Sequence, residues 1–70
     1  MRFLHYIDLE GEHYSLRWYQ ISALASAGPD QTRIWVSIDG EKFKIIVNRP
    51  HDEVAAEVQK ARDDDDWQGA

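Results

Sequence analysis

Residues 32–47 constrain this chain more than any other stretch. Two apolar-alternating runs, Thr-Arg-Ile-Trp-Val-Ser-Ile and Glu-Lys-Phe-Lys-Ile-Ile-Val, flank an Asp39-Gly40 pair, which is the signature of a β-hairpin closed by a two-residue turn. Closure on Ile38 and Glu41 sets Val36 opposite Phe43, Ile34 opposite Ile45 and Thr32 opposite Val47, so one face of the hairpin is a core face. The other face aligns Ser37 with Lys42, Trp35 with Lys44 and Arg33 with Ile46, at the positions where cross-strand side chains approach most closely. That face mixes aromatic, aliphatic and cationic groups.

The flanking segments suggest how the hairpin is built upon. Residues 2–9 alternate, with Phe3, His5, Ile7 and Leu9 on one side and Leu4, Tyr6 and Asp8 on the other. A two-residue turn at Glu10-Gly11 predicts a first hairpin with Tyr14 and Leu16 opposite Ile7 and His5. In that register His5 is a half-buried core histidine among Phe3, Ile7 and Leu16, and His13 faces Asp8 in a mild surface pair. Residues 17–20 follow no period and mark a change of direction. Residues 21–27 read as a short strand, since Gly28-Pro29-Asp30-Gln31 is a turn leading into the central hairpin. The expectation is an α+β fold: a meander of about five antiparallel strands, as a sheet or partial barrel, followed by one short C-terminal α-helix. Pro50 suits the first turn of that helix, Asp52 and Glu53 suit its positive end, and Val54, Val58 and Ala61 recur at helical spacing. Four consecutive aspartates at its C-terminus oppose the helix dipole, so the helix is expected to stop near Arg62. Residues 1–62 then form a single small domain and residues 63–70 an acidic tail, expected to be disordered in isolation.

Charge distribution narrows the function classes. The 70 residues carry a formal charge of −5, which argues against general affinity for nucleic acid or an anionic membrane. Lys and Arg number two against four Asp and Glu in residues 1–31, four against two in residues 32–50, and two against seven in residues 51–70. The central hairpin is locally basic and the C-terminal part acidic. With no cysteine, disulfides and thiolate sites are excluded. No apolar leader or spanning run is present, and a cytoplasmic protein is expected. The three histidines sit in unrelated contexts and the four glycines are isolated, so neither a hydrolytic triad nor a phosphate-binding loop can be assembled. The aspartate run lacks the alternating ligands and turn glycine of a calcium loop. No enzyme activity, metal or cofactor is expected.

Two interaction surfaces remain as candidates. Arg33, Trp35, Lys42 and Lys44 could stack on an anionic planar ligand or meet an acidic protein. Asp63, Asp64, Asp65 and Asp66, with Trp67 as an apolar anchor, could dock on a basic groove. A core of this size supplies only about 3–5 kcal/mol, which makes a protein partner or a homo-oligomer a natural expectation.

Leu9, Gly11, Glu12, Tyr14 and Leu16, then Ile21 and Leu24, the strand of residues 32–38, Gly40, and Val47 followed by Glu53-Val54 resemble the small FlbD-type proteins of flagellar operons and their phage-borne relatives. The resemblance spans most of residues 3–60 as a pattern of apolar positions and turns. Arg17-Trp18 stands where that family tends to have Asn-Pro, and Pro50 where it often has a capping serine. The resemblance implies a small non-enzymatic protein and carries over no binding residues. Three readings of function follow: a regulatory protein that binds a macromolecular partner, a phage-type acidic inhibitor whose carboxylates imitate phosphates, and a small anionic-ligand binder.

Overall fold

The computed structural model describes residues 2–69, with side chains through Asp65. Five strands, β1 (Leu4–Ile7), β2 (His13–Leu16), β3 (Ile21–Gly28), β4 (Gln31–Ile38) and β5 (Glu41–Val47), precede one helix, α1 (His51–Gly69), with a 3-10 turn at Trp18–Gln20 between β2 and β3. The fold is α+β, as expected, but the strands do not form one meander or barrel. They make two antiparallel sheets, β1-β2 and β3-β4-β5. The meander breaks at the 3-10 turn, where Arg17 N–H donates to Gln20 Oε1 at 2.8 Å and Gln20 N–H to the Arg17 carbonyl at 2.9 Å. The chain is turned away there before β3 can pair with β2. An isolated bridge between Asp8 and Val47, with Leu9 N–H donating to the Ile46 carbonyl at 3.1 Å, joins the end of β1 to β5 instead.

The central hairpin pairs as its alternation predicts, Val36 with Phe43, Ile34 with Ile45, Thr32 with Val47 and Trp35 with Lys44. Asp39 and Gly40 have φ of 51° and 84°, the pair of positive values that matches the strand twist across a two-residue turn. Thr32, Ile34, Val36, Ile45 and Val47 are buried on the core face. The Thr32 hydroxyl donates to the Arg49 carbonyl at 2.7 Å, which satisfies the one polar group among them. Val54 and Ala61 of α1, both fully buried, close this face, seven residues apart on one helical stripe.

The first hairpin is shifted by one residue from the expectation. Leu4 pairs with Leu16, Tyr6 with Tyr14 and Ile7 with His13. A one-residue slip moves every side chain to the opposite face. Leu4 and Tyr6 are therefore buried, while Phe3, Ile7 and Leu9 are exposed. His5 is not a core residue: it is exposed and its Nδ1 lies 3.1 Å from Ser15 Oγ. His13 stands opposite Ile7 rather than Asp8. The cause is the loop, which uses Asp8 as a built-in cap. Asp8 Oδ1 accepts from the amides of Glu10 at 2.9 Å and Glu12 at 3.0 Å, Oδ2 accepts from the Tyr14 hydroxyl at 3.1 Å, and Gly11 turns the backbone at φ 88°. Such an Asx-type cap stabilises a longer loop than the two-residue turn that alternation alone suggests.

The helix also departs from expectation, running past Arg62 through the aspartates to Gly69.

Two outcomes test this architecture. Leu4→Ala should destabilise the protein in urea by about 2–5 kcal/mol, whereas Ile7→Ala should change stability by about 0.5 kcal/mol or less; the reverse order would restore the two-residue register. The second concerns acid. Desolvation disfavours the Asp8 carboxylate, but hydrogen bonds from Glu12, Glu10, Tyr14 and Gly11 outweigh it and hold its pKa below the ordinary aspartate value. A carboxyl whose folded pKa is depressed stabilises the fold above its unfolded pKa, about 3.9 for aspartate, and loses that contribution as pH falls below it. Asp8→Asn should therefore flatten the fall of the urea midpoint as pH drops below about 4, and an unchanged profile would show that the cap is not stabilising.

Candidate functional site

The alternation that buries Ile34 and Val36 turns Arg33, Trp35 and Ser37 to the side of the sheet away from α1, with Lys42, Lys44 and Ile46 beside them on β5. On β3 the neighbours of Trp35 and Arg33 are Ala23 and Ala25, too small to cover an indole or a guanidinium. Trp35 and Arg33 are half-buried and Lys42 and Lys44 exposed. The Arg33 guanidinium carbon lies 5.6 Å from the centre of the Trp35 ring, within cation–π range. The four strand residues singled out from the sequence thus share one face.

Leu9 and Ile46 extend this face toward the first sheet. Together with Lys44, Asp8, Glu10, Tyr14 and Ile45 they line an open hollow of about 360 Å³ where β5 meets the end of β1. Leu9 was missed as a site residue because the expected register placed it with core residues. Beyond it, the exposed side of β1 adds Ile7 and Phe3.

The cations here are unusual in a chain with five excess carboxylates. Among the described residues, Lys42 and Lys44 make no ion pair or side-chain hydrogen bond, and Arg33 Nε is enclosed without an acceptor. Arg49, by contrast, is held by Glu53 and Glu57. The Tyr6 hydroxyl donates to Glu57 at 3.2 Å, and burial followed by the Glu57 charge pushes its pKa well above the usual tyrosine value. Tyr6 is therefore a neutral donor at any physiological pH, and this cluster fastens β1 and α1 together. Among the described residues no group of His, Cys, Asp or Glu could hold a metal ion, and no helix is long and apolar enough to cross a membrane.

The acidic run lies apart from the strand face. Asp64 accepts from Arg2 at 2.9 Å, Asp65 accepts from the Trp18 indole N–H at 2.6 Å, and Asp63 accepts from Gln59 at 2.9 Å. The Arg62 guanidinium lies 5.8 Å from the Trp18 ring centre. The side chains of Asp66 and Trp67, also named as candidates, lie outside the described residues. Like charges and an opposed dipole make this turn a poor helix on its own; Arg2 and Trp18 supply the opposing charge and donor from elsewhere in the chain. No local sequence signal links residues 2 and 64.

Arg2→Ala combined with Trp18→Phe should consequently reduce amide protection in residues 62–69 by about tenfold or more, while the central hairpin stays protected. Unchanged exchange would show that the helix end holds itself. No family model matches the chain, and no curated protein or solved structure matches it either.

Proposed function

We propose that this chain is a non-catalytic interaction protein that binds a macromolecular partner on the strand face opposite α1. The observation that carries this reading is the division of the two sides of the sheets. The helix side holds the buried core of Leu4, Tyr6, Ile34, Val36, Ile45 and Val47 with Val54 and Ala61, whereas Trp35, Ile46, Leu9 and Ile7 remain at least partly open on the other. Tryptophan and arginine are enriched at the centre of protein interfaces, and Trp35 with Arg33 supplies that pair here. The hollow beside Lys44 is open, and of its polar groups Asp8 and Tyr14 are tied into the loop cap, which favours an extended surface over a substrate cleft. The resemblance to FlbD-type proteins points the same way, toward a small non-enzymatic protein.

A second reading draws on the helix end. Because α1 continues through the aspartates, their backbone is held in a rod, and carboxylates at regular spacing can imitate phosphates toward a nucleic-acid-binding protein. Asp64 and Asp65 are, however, already engaged by Arg2 and Trp18, and such an inhibitor has to exchange those contacts for its target's.

A photo-reactive amino acid at Ser37 on the strand face and another at Gln59 on α1 separate the two readings in cells. The strand position should give a discrete adduct that disappears in the Trp35→Ala background, and the helix position should give none. An adduct of twice the chain mass at Ser37 would identify the partner as a second copy. Adducts confined to Gln59 would transfer the function to the acidic helix.

A further inference from the structure

From the charges left unmatched on the strand face, we infer the chemistry of the partner: an acidic segment of another protein, with an apolar side chain that seats beside Trp35. This deepens the preceding proposal and rests on it.

The fold answers some of its cations internally and leaves others unanswered. Arg49 meets two carboxylates and Arg2 meets Asp64. Lys42, Lys44 and Arg33 share one face, and none of the described Asp and Glu side chains forms an ion pair with them, although Asp8 and Glu10 line the hollow beside Lys44. Lys42 and Lys44 are neighbours at i, i+2 on the same face of β5, and Lys44 stands directly across from Trp35, itself two residues from Arg33. Three positive groups thus frame one indole. Arg33 Nε is enclosed and donates to nothing within the chain, and the guanidinium beside Trp35 has no ion-pair partner among the described residues. A carboxylate on a partner is the group that answers a cluster of such charges.

The apolar part of the surface is equally specific. Leu9, Ile46 and Lys44 line the open hollow, and Lys44 is the cross-strand neighbour of Trp35. Of the two carboxylates beside it, Asp8 is committed to the loop amides and the Tyr14 hydroxyl, and Glu10 lies in the loop. One leucine- or phenylalanine-sized group fits this setting better than a polar one. A long polyanion such as nucleic acid suits the molecule poorly. It would extend past three cations on a protein of net charge −5, whose α1 carries Asp52, Glu53, Glu57, Asp63, Asp64 and Asp65. A short acidic segment is confined to the basic patch and is attracted by it.

The test uses the full chain with isotope-labelled tryptophan and three probes: a Glu-rich peptide with one central leucine, the same peptide with every Glu replaced by Gln, and an oligothymidylate. The Glu-rich peptide should shift the Trp35 indole N–H signal. Its affinity should fall by about tenfold or more on raising salt from 25 to 250 mM, and by a similar factor in the Lys42→Gln, Lys44→Gln variant, whose exposed positions leave the fold intact. Equal binding of the Gln peptide would overturn the acidic partner while keeping the strand face as the site. Tighter binding of oligothymidylate at Trp35 would overturn it in favour of nucleic acid. Binding of the acidic peptide that leaves Trp35 unshifted, or that the double variant does not weaken, would also overturn it. If crosslinking at Ser37 fails as well, the underlying proposal falls with it.

Discussion

The pairing of Ile34 with Ile45 and Val36 with Phe43 is the contact on which the rest of this structure depends. It creates the apolar surface that receives Val54 and Ala61 of α1, and it completes the burial of Leu4, Tyr6 and Leu16 from the first sheet. Seventy residues leave little reserve for a second core. The two sheets therefore share one, their backbones bridged at Asp8 and Val47 with the Leu9 N–H bonded to the Ile46 carbonyl. The same alternation that supplies this core sends Arg33, Trp35, Lys42 and Lys44 to the far side. Core and candidate binding surface are two consequences of one register.

The legibility of each element in the sequence follows from how local its determinants are. The central hairpin could be read to the residue because its turn is two residues long, both with positive φ, and its two runs differ clearly in polarity between faces. The first hairpin was ambiguous by pattern. Phe3, Ile7 and Leu9 make as good a core face on paper as Leu4 and Tyr6, and the choice is made by the Asp8 cap, a side-chain interaction that alternation does not record. Strand β3 was correctly expected, but its irregular pairing at Ser22 and Ala27 was not; such bulges at an edge strand also discourage indiscriminate edge pairing. The start of α1 follows from Pro50, Asp52 and Glu53. Its end does not, since Arg2 and Trp18 reach it across 62 and 47 residues of sequence.

The candidate site was legible to a similar degree. The four strand residues were identifiable as neighbours from register alone, while Leu9 and Ile7 joined their surroundings only through the corrected first hairpin. The aspartates illustrate the opposite case. Composition marks them as a solvated tail, yet the fold takes two of them into its own fastening, so that part of the negative charge helps secure α1 over the core. Negative charge gathers along the helix and unmatched positive charge on the strands. A charged partner meets a different molecule on each side, which favours orientation-specific binding over general stickiness.

Helix α1 covers the core side of the sheets and leaves the Trp35 side open. A soluble paramagnetic chelate measures this without any partner. It should broaden the Trp35 indole N–H and the Ile46 and Ile7 methyl signals, and spare the methyls of Ile34, Val54 and Ala61. Equal protection of Trp35 and Ile46 with Ile34 in the monomer would mean that the strand face is already covered, and would contradict the account.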